Sequence, residues 1–270
     1  MVQLQPSTIY LLNECYKFNM SYVLTTAGGK IIVVDGGRKE DYPQLIEYIG
    51  GRTVEGWFLT HPHVDHITAF MDMIDNHRDE FELKAVYYNF HTKEFIAEHE
   101  PVNNKMMEMW EEFKPKIADI SVIPQVGDII EIDDFKIEIL FAPDVTVTKN
   151  ATNCSSMVFM IDNGNRKILF LGDLGPWGGD RLLQTKADKL KCDIVQMSHH
   201  GHLCCDFDVY LMADPEICMW NCEEWLYNEA DRLQVERRWG TMHTRRWMDL
   251  LNVKKHYVTK DGTQAIPINY

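Results

Sequence analysis

The sequence predicts a layered α/β fold built on two groups of strands. Three observations carry this expectation. β-Branched and aromatic segments bounded by turn residues cluster within residues 9–34 and again within 129–171. Segments with helical spacing of apolar residues lie between and after those clusters. Strands grouped in this way, with helices around them, fit stacked layers better than a doubly wound parallel sheet. No repeat at a solenoid period, low-complexity tract or Pro/Gly/Ser linker interrupts the chain, so one domain over residues 1–270 is expected.

The elements follow in order. Ile9 to Leu12, Ser21 to Thr25 and Lys30 to Val34 read as strands, and Gly28-Gly29 is a hairpin signal between the second and third. Asp35-Gly36-Gly37 ends a buried strand, and Leu45, Ile46 and Ile49 give Tyr42 to Ile49 a helical face. Glu55 to Leu59 is a short strand, followed by a helix from about Ile67 to Ile74. Ala85 to Tyr88 reads as a strand and Met106 to Phe113 as a helix, with Pro101 breaking the helical pattern between them. Four strands follow at Ile129 to Ile132, Lys136 to Phe141, Met157 to Ile161 and Lys167 to Leu171. Asn163-Gly164 is the hairpin signal that joins the last two. Leu182 to Leu190 suggests a helix, and Asp193 to Met197 and Ile217 to Trp220 suggest strands. Two helical stretches and a final strand pair around Asp261-Gly262 close the sequence.

Composition narrows the function. The formal net charge is −14, from 41 acidic and 27 basic residues, and a surface of that sign repels phosphate backbones. The basic clusters Arg237-Arg238 and Arg245-Arg246 are short and alternate with Trp239 and Trp247, as amphipathic helix faces do. Long nucleic acid is therefore a poor partner and a small molecule a better one. No apolar run reaches the length of a membrane span, and the first residues lack a secretory signal, so a cytoplasmic location is expected. The seven cysteines are read as reduced. Cys218 and Cys222 would lie one turn apart on a helix, but without a second pair at finger-like spacing they are expected to be buried apolar residues. Trp239 and Trp247 could pack on the domain's own sheet or bury a homodimer interface.

The chemistry is concentrated in His61-Pro62-His63-Val64-Asp65-His66, directly after a strand. In extended backbone His61 and His63 leave from the same side. Asp65 and His66 come where the chain turns into a helix, and can aim at a second point nearby. Imidazole with carboxylate is a ligand set for Zn, Fe or Mn rather than for a structural thiolate site. One histidine alone is most often structural, but four metal-type residues in one short loop rarely arise by chance.

His-x-His-x-Asp-His after a strand resembles the signature loop of the metallo-β-lactamase superfamily, and the resemblance runs across most of the chain. Asp35-Gly36-Gly37 resembles the acidic turn that supports the histidine loop. Leu171-Gly172-Asp173 resembles the strand end whose carboxylate bridges two metals, and His199-His200-Gly201 the late His-Gly that supplies the last ligand. The resemblance implies a four-layer αββα sandwich and two divalent ions, Zn first, with Mn or Fe as alternatives. Asn153-Cys154-Ser155-Ser156-Met157-Val158 and the terminal Asp261-Gly262 are similar to one bacterial branch. That branch holds the hydrolase domain of the DNA-uptake channel protein and the phosphorylcholine esterase. The sequence departs from the lactamase and glyoxalase pattern at one place, where those enzymes carry Pro-Gly-His-Thr and no histidine stands here. Asn153 is the candidate for that ligand, with Asp144 and Cys154 as substitutes. A neutral amide is a poor ligand for Zn, so the first ion is expected to bind more weakly than the second.

The resemblance thus implies metal ligands at His61, His63, Asp65, His66, Asn153, Asp173 and His200, with Asp35 behind them. Of the adjacent pair, His200 is taken as the ligand and His199 as a phosphate contact or general acid; a slip of one residue reverses the order. His91 and Trp177 are candidate substrate contacts, with solvated or core roles as their bland alternatives, while Trp220 reads most readily as core. Two ions bridged by Asp173 would lower the pKa of a water held between them toward neutrality. Asp65 would orient and deprotonate that water and His199 would protonate the leaving oxygen. The resulting expectation is hydrolysis of a small phosphoester or phosphodiester. Opening of a lactone, thioester or lactam on the same site is the first alternative. A non-catalytic metal-binding or redox-sensing protein, sensitive to Cys154 or Cys204-Cys205, is the second.

Overall fold

The computed structural model describes residues 6–202, 205–228 and 240–268. Its strands are β1 (Thr8–Leu11), β2 (Ser21–Thr25), β3 (Ile31–Asp35), β4 (Val54–Leu59), β5 (Val86–Tyr88), β6 (Ser121–Val122), β7 (Ile129–Ile132), β8 (Phe135–Phe141), β9 (Val158–Asp162), β10 (Lys167–Phe170), β11 (Ile194–Gln196), β12 (Ile217–Trp220), β13 (Lys255–Val258) and β14 (Gln264–Pro267). The helices are α1 (Tyr42–Ile49), α2 (Val64–Asn76), α3 (Lys93–His99), α4 (Asn104–Phe113), α5 (Pro176–Lys186), α6 (Phe207–Ala213), α7 (Glu224–Tyr227) and α8 (Thr241–Leu250).

The strands form two sheets, ordered β14-β1-β2-β3-β4-β5-β6 and β13-β12-β11-β10-β9-β8-β7. Each sheet is an antiparallel meander that continues as parallel strands. In the first, β14 to β3 are antiparallel and β3 to β6 parallel. In the second, β7 to β10 are antiparallel and β10 to β13 parallel. Parallel neighbours need long crossovers, which is why the helices fall where they do. α1 to α4 connect β3, β4, β5 and β6, and α5 to α8 connect β10, β11, β12 and β13.

Hydrophobic patterning sets the layers. β3 reads Ile-Ile-Val-Val-Asp and is buried throughout, because both of its faces are covered. Ile32 and Val34 face the other sheet with Tyr22, Phe58, Phe159, Phe170 and Met219. Ile31 and Val33 face the helices with Leu45, Trp57, Phe70 and Trp110. A third cluster, including Leu182, Val209, Tyr210, Trp220 and Met248, packs α5, α6 and α8 on the outside of the second sheet. The result is the expected four-layer αββα sandwich. None of the described helices is long and apolar enough to cross a membrane.

Two local expectations are corrected. The closing strands flank Asp261-Gly262 but do not pair with each other: β13 joins β12 in one sheet and β14 joins β1 in the other. α5 begins at Pro176, earlier than expected, because Gly178 and Gly179 weaken its helical signature while serving its packing. A Cβ on Gly178 would stand 2.6 Å from Leu174 Cδ1, and one on Gly179 2.8 Å from Cys205 Cβ. α6 had no recognised signature. Cys218 lies on β12 and both it and Cys222 are buried, as expected. No disulfide joins the described cysteines. Arg237, Arg238, Trp239 and Cys204 fall outside the described residues.

Candidate metal centre

The site residues sit where parallel strands of both sheets end, at their carboxyl ends, where open α/β sheets gather ligands. Asp35 ends β3, His61 to His66 follow β4, Asp173 follows β10, and His199 and His200 follow β11. Several of these turns demand unusual backbone. Asp35 has φ 54°, and Gly172, immediately before Asp173, has φ 56°. A Cβ on Gly172 would stand 2.9 Å from both Ser156 Cβ and Thr60 Cβ, so only glycine fits there. His199 (φ 49°, ψ 52°) and His200 (φ 56°, ψ 15°) are consecutive left-handed residues, a conformation worth about 1–3 kcal/mol of strain each. The loop is held nonetheless. His199 N donates to Gly172 O at 3.0 Å, and the buried Gln196 amide donates to Gly172 O and Met197 O.

Two groups of potential ligand atoms converge: His61, His63 and Asp173, then Asp65, His66 and His200. Asp173 Oδ2 lies between them, 3.6 Å from His61 Nε2, 3.2 Å from His66 Nε2, 3.7 Å from His199 Nε2 and 4.0 Å from His200 Nε2. Asp65 Oδ2 is 3.4 Å from His200 Nε2.

The rings are oriented from behind. Asp35 Oδ2 is 2.9 Å from His66 Nδ1, and its carboxylate also accepts the Thr60 amide and hydroxyl, each at 2.8 Å. His200 Nδ1 is 2.9 Å from Asn221 O, which turns Nε2 toward the carboxylates. The Asn103 amide lies 3.2 Å from His63 Nε2 and donates to Thr152 Oγ1 at 2.9 Å.

The fit to metal rests on what these atoms lack. His61 Nε2, His66 Nε2, His200 Nε2 and Asp173 Oδ1 are buried and make no hydrogen bond. Buried polar atoms are normally satisfied, and four unsatisfied ones converging on two points fit divalent cations. The electrostatics agree. Burial opposes charge on Asp173, yet His66, His199, His61 and His200 hold its carboxyl well below the usual range. Burial pushes His61 well below an ordinary imidazole. His66 is raised despite burial, because Asp173 and Asp35 flank it.

The remaining candidates separate. Asn153 is buried, and its Oδ1 has no hydrogen-bond partner while its Nδ2 donates to Asn150 Oδ1 at 3.3 Å. Asp144 is engaged elsewhere: Thr146 and Arg181 hold its carboxyl down to about 2, and Arg181 Nε lies 2.6 Å from it. Cys154 is buried against Gly175 and Gly178, and burial pushes its thiol up to about 11. His91 stacks on Phe95 at 3.9 Å and lines a cleft with Tyr88, Trp110 and Lys114. Trp177 lines another cleft with Lys149 and Arg181. No member of the two ligand groups lines either cleft.

Sequence reasoning missed Asn103, Asn221 and His202. The first two act across long separations that no motif marks. His202 stands 4.5 Å ring to ring from His199, and burial pushes it down to about 2. Its place two residues after His200 was the available signal.

Comparison with known proteins agrees with this architecture. No curated protein matches the sequence. Among solved structures, the metallo-β-lactamase fold protein YhfI from Bacillus subtilis is similar at 12% identity and TM-score 0.58, over 97% of this chain and 99% of that one. The diiron β-hydroxylase CmlA from Streptomyces venezuelae is similar at 10% identity and TM-score 0.60, over 97% of this chain and 54% of that one. A diphosphatase from the PhnP family is similar at 13% identity and TM-score 0.51, over 84% of this chain and 92% of that one. Residues 17–202, which carry the histidine loop, the Asp173 turn and the His199-His200 turn, match the family model for the metallo-β-lactamase superfamily, and the chain belongs to that superfamily.

Proposed function

We propose that the protein is a metal-dependent hydrolase of a small phosphoester or phosphodiester. In this reading His61, His63 and Asp173 would hold one ion, and Asp65, His66 and His200 a second, with Asp173 close to both groups. The observation that carries it is the set of buried nitrogens without hydrogen bonds, His61 Nε2, His66 Nε2 and His200 Nε2, around Asp173. Two divalent ions there would activate water at neutral pH and polarise the substrate's oxygen. Asn153, through Oδ1, is the best placed of the three candidates for the remaining ligand of the first ion.

The chain's own residues divide the proton work. Asp65 orients the attacking water and takes its proton as the new bond to phosphorus forms. His199, 3.7 Å from Asp173 and on the edge of the cluster, protonates the leaving oxygen as the phosphorus–oxygen bond breaks. The net charge of −14 favours a small substrate over long nucleic acid. The diphosphatase among the similar folds supports phosphoester chemistry, as does the likeness to the DNA-uptake and phosphorylcholine esterase branch. The predominantly imidazole and carboxylate donor set suits Zn first and accommodates Mn or Fe, and CmlA, a diiron protein, has a similar fold.

Elemental analysis and hydrolysis of bis(p-nitrophenyl) phosphate test this reading in wild type, Asp173→Ala and His200→Ala. About two metals per chain, with turnover lost in both variants, is the expected result. Metal without turnover on phosphoester, lactone and thioester substrates would favour a sensor instead. No bound metal after reconstitution would refute the proposal.

A further inference from the structure

A row of aromatic rings leads from the metal centre to the surface. Phe18 meets the buried His200 edge-on at 5.4 Å between centroids, and Trp225 meets Phe18 edge-on at 5.6 Å. His202 flanks the row, 6.0 Å from Phe18. Exposure rises along it: His200 is buried, Phe18 half-buried and Trp225 54% exposed.

Ordinary core packing accounts for part of Phe18, which touches the cluster outside the second sheet. It does not account for Trp225, which belongs to none of the hydrophobic clusters. Both rings are nevertheless fixed. One carboxylate, Glu223, accepts the Phe18 backbone N–H at 2.5 Å and the Trp225 indole N–H. Phe18 holds φ at 30°, a strained value for a bulky residue, and Lys17 O on its other side is bound by Arg38 Nε at 3.1 Å. An exposed tryptophan and a strained phenylalanine held by a shared acid are rigid before anything binds, as a recognition surface requires.

We infer that Phe18 and Trp225 form the seat for a flat aromatic group of the substrate, so that the protein prefers aryl phosphoesters over alkyl ones. This rests on the phosphoester reading of the metal centre. Ring faces and edges offer stacking and edge-to-face contacts to a planar group. The Glu223 carboxylate that both residues share disfavours a second phosphate in the same place, so the group carries no negative charge.

Phenylphosphonate and methylphosphonate present the same head group and differ only in the part this seat would hold. Their binding to the zinc-loaded protein, measured by calorimetry, tests the inference. Wild type should bind phenylphosphonate about tenfold more tightly. In Trp225→Ala, an exposed position where folding is not at stake, the preference should fall to about two- to threefold with methylphosphonate affinity unchanged. Phe18→Leu should act in the same direction. Equal binding of the two phosphonates to wild type, or an undiminished preference in Trp225→Ala, overturns the aromatic seat alone. Failure of both phosphonates to bind overturns the phosphoester reading and this inference with it.

Discussion

Replacing Asp35 with asparagine should weaken metal binding and lower the stability of the fold by comparable amounts. Asp35 is fully buried and accepts three hydrogen bonds, from Thr60 N, Thr60 Oγ1 and His66 Nδ1. Asparagine preserves the shape and tolerates φ 54° better than most residues. It also removes a carboxyl whose ionisation burial already opposes, since burial pushes Asp35 up against the charge of His66 and the Thr60 hydrogen bonds. The change in stability without metal is therefore held to about 1–3 kcal/mol. The histidine suffers as well. An amide N–H facing Nδ1 favours the tautomer that protonates Nε2, the atom aimed at the second ligand group. Loss of such an outer partner costs about 10–100-fold in metal affinity, or about 1.4–2.7 kcal/mol. For a chain of this size that lowers the melting temperature of the loaded protein by about 3–11 °C. Chelator competition and thermal melts with and without metal would measure both quantities. Two ions bound by Asp35→Asn with wild-type affinity would refute the role assigned to Asp35.

Asn103→Ala should lower affinity for the ion of the first group about tenfold with little change in folding, because the half-buried amide bonds only Thr152 besides His63; metal titration reads this directly. Gly172→Ala should destabilise by about 1–3 kcal/mol from backbone conformation alone, and by more once Thr60 and Ser156 are displaced. Gly164→Ala, also left-handed but with nothing within 4 Å of the added Cβ, should be the milder change in denaturant titrations. Burial, opposed by Asp144, pushes His91 down to about 4. The unfolded chain then takes up a proton that the fold refuses, so stability is lost as pH falls from about 6.5 to about 4. His91→Gln should flatten the stability profile across that window, as urea midpoints measured over pH would show.

Much of the architecture was legible because the patterns are local. Tyr42 to Ile49 and Ser21 to Thr25 are found where spacing and turn residues place them. The glycine hairpins at Gly28-Gly29 and Asn163-Gly164 join the strands expected. The histidine loop was equally visible, since four of its donors lie within six residues. What escaped was set by tertiary contact. Gly178 and Gly179 look like helix breakers until their close approach to Leu174, Cys154 and Cys205 is seen. Trp225 near the metal centre depends on a carboxylate shared with Phe18, more than two hundred residues earlier in the chain. Nothing in the spacing of Asn103 connects it to His63.

The divergence of β13 and β14 bears on how the molecule is made. β14 lies beside β1, so β1 keeps one open edge until residues 264–267 have left the ribosome. During that interval β1 can pair only with β2, and its other row of backbone groups is a template for any extended chain nearby. Residues 255–267 also step from one sheet to the other, so they cover the open sides of β12 and β1 within a single short stretch. Truncation ahead of that stretch would leave a nascent chain that already carries the whole histidine loop yet is prone to aggregate. Residues 264–267 thus act as a latch for a strand translated far earlier.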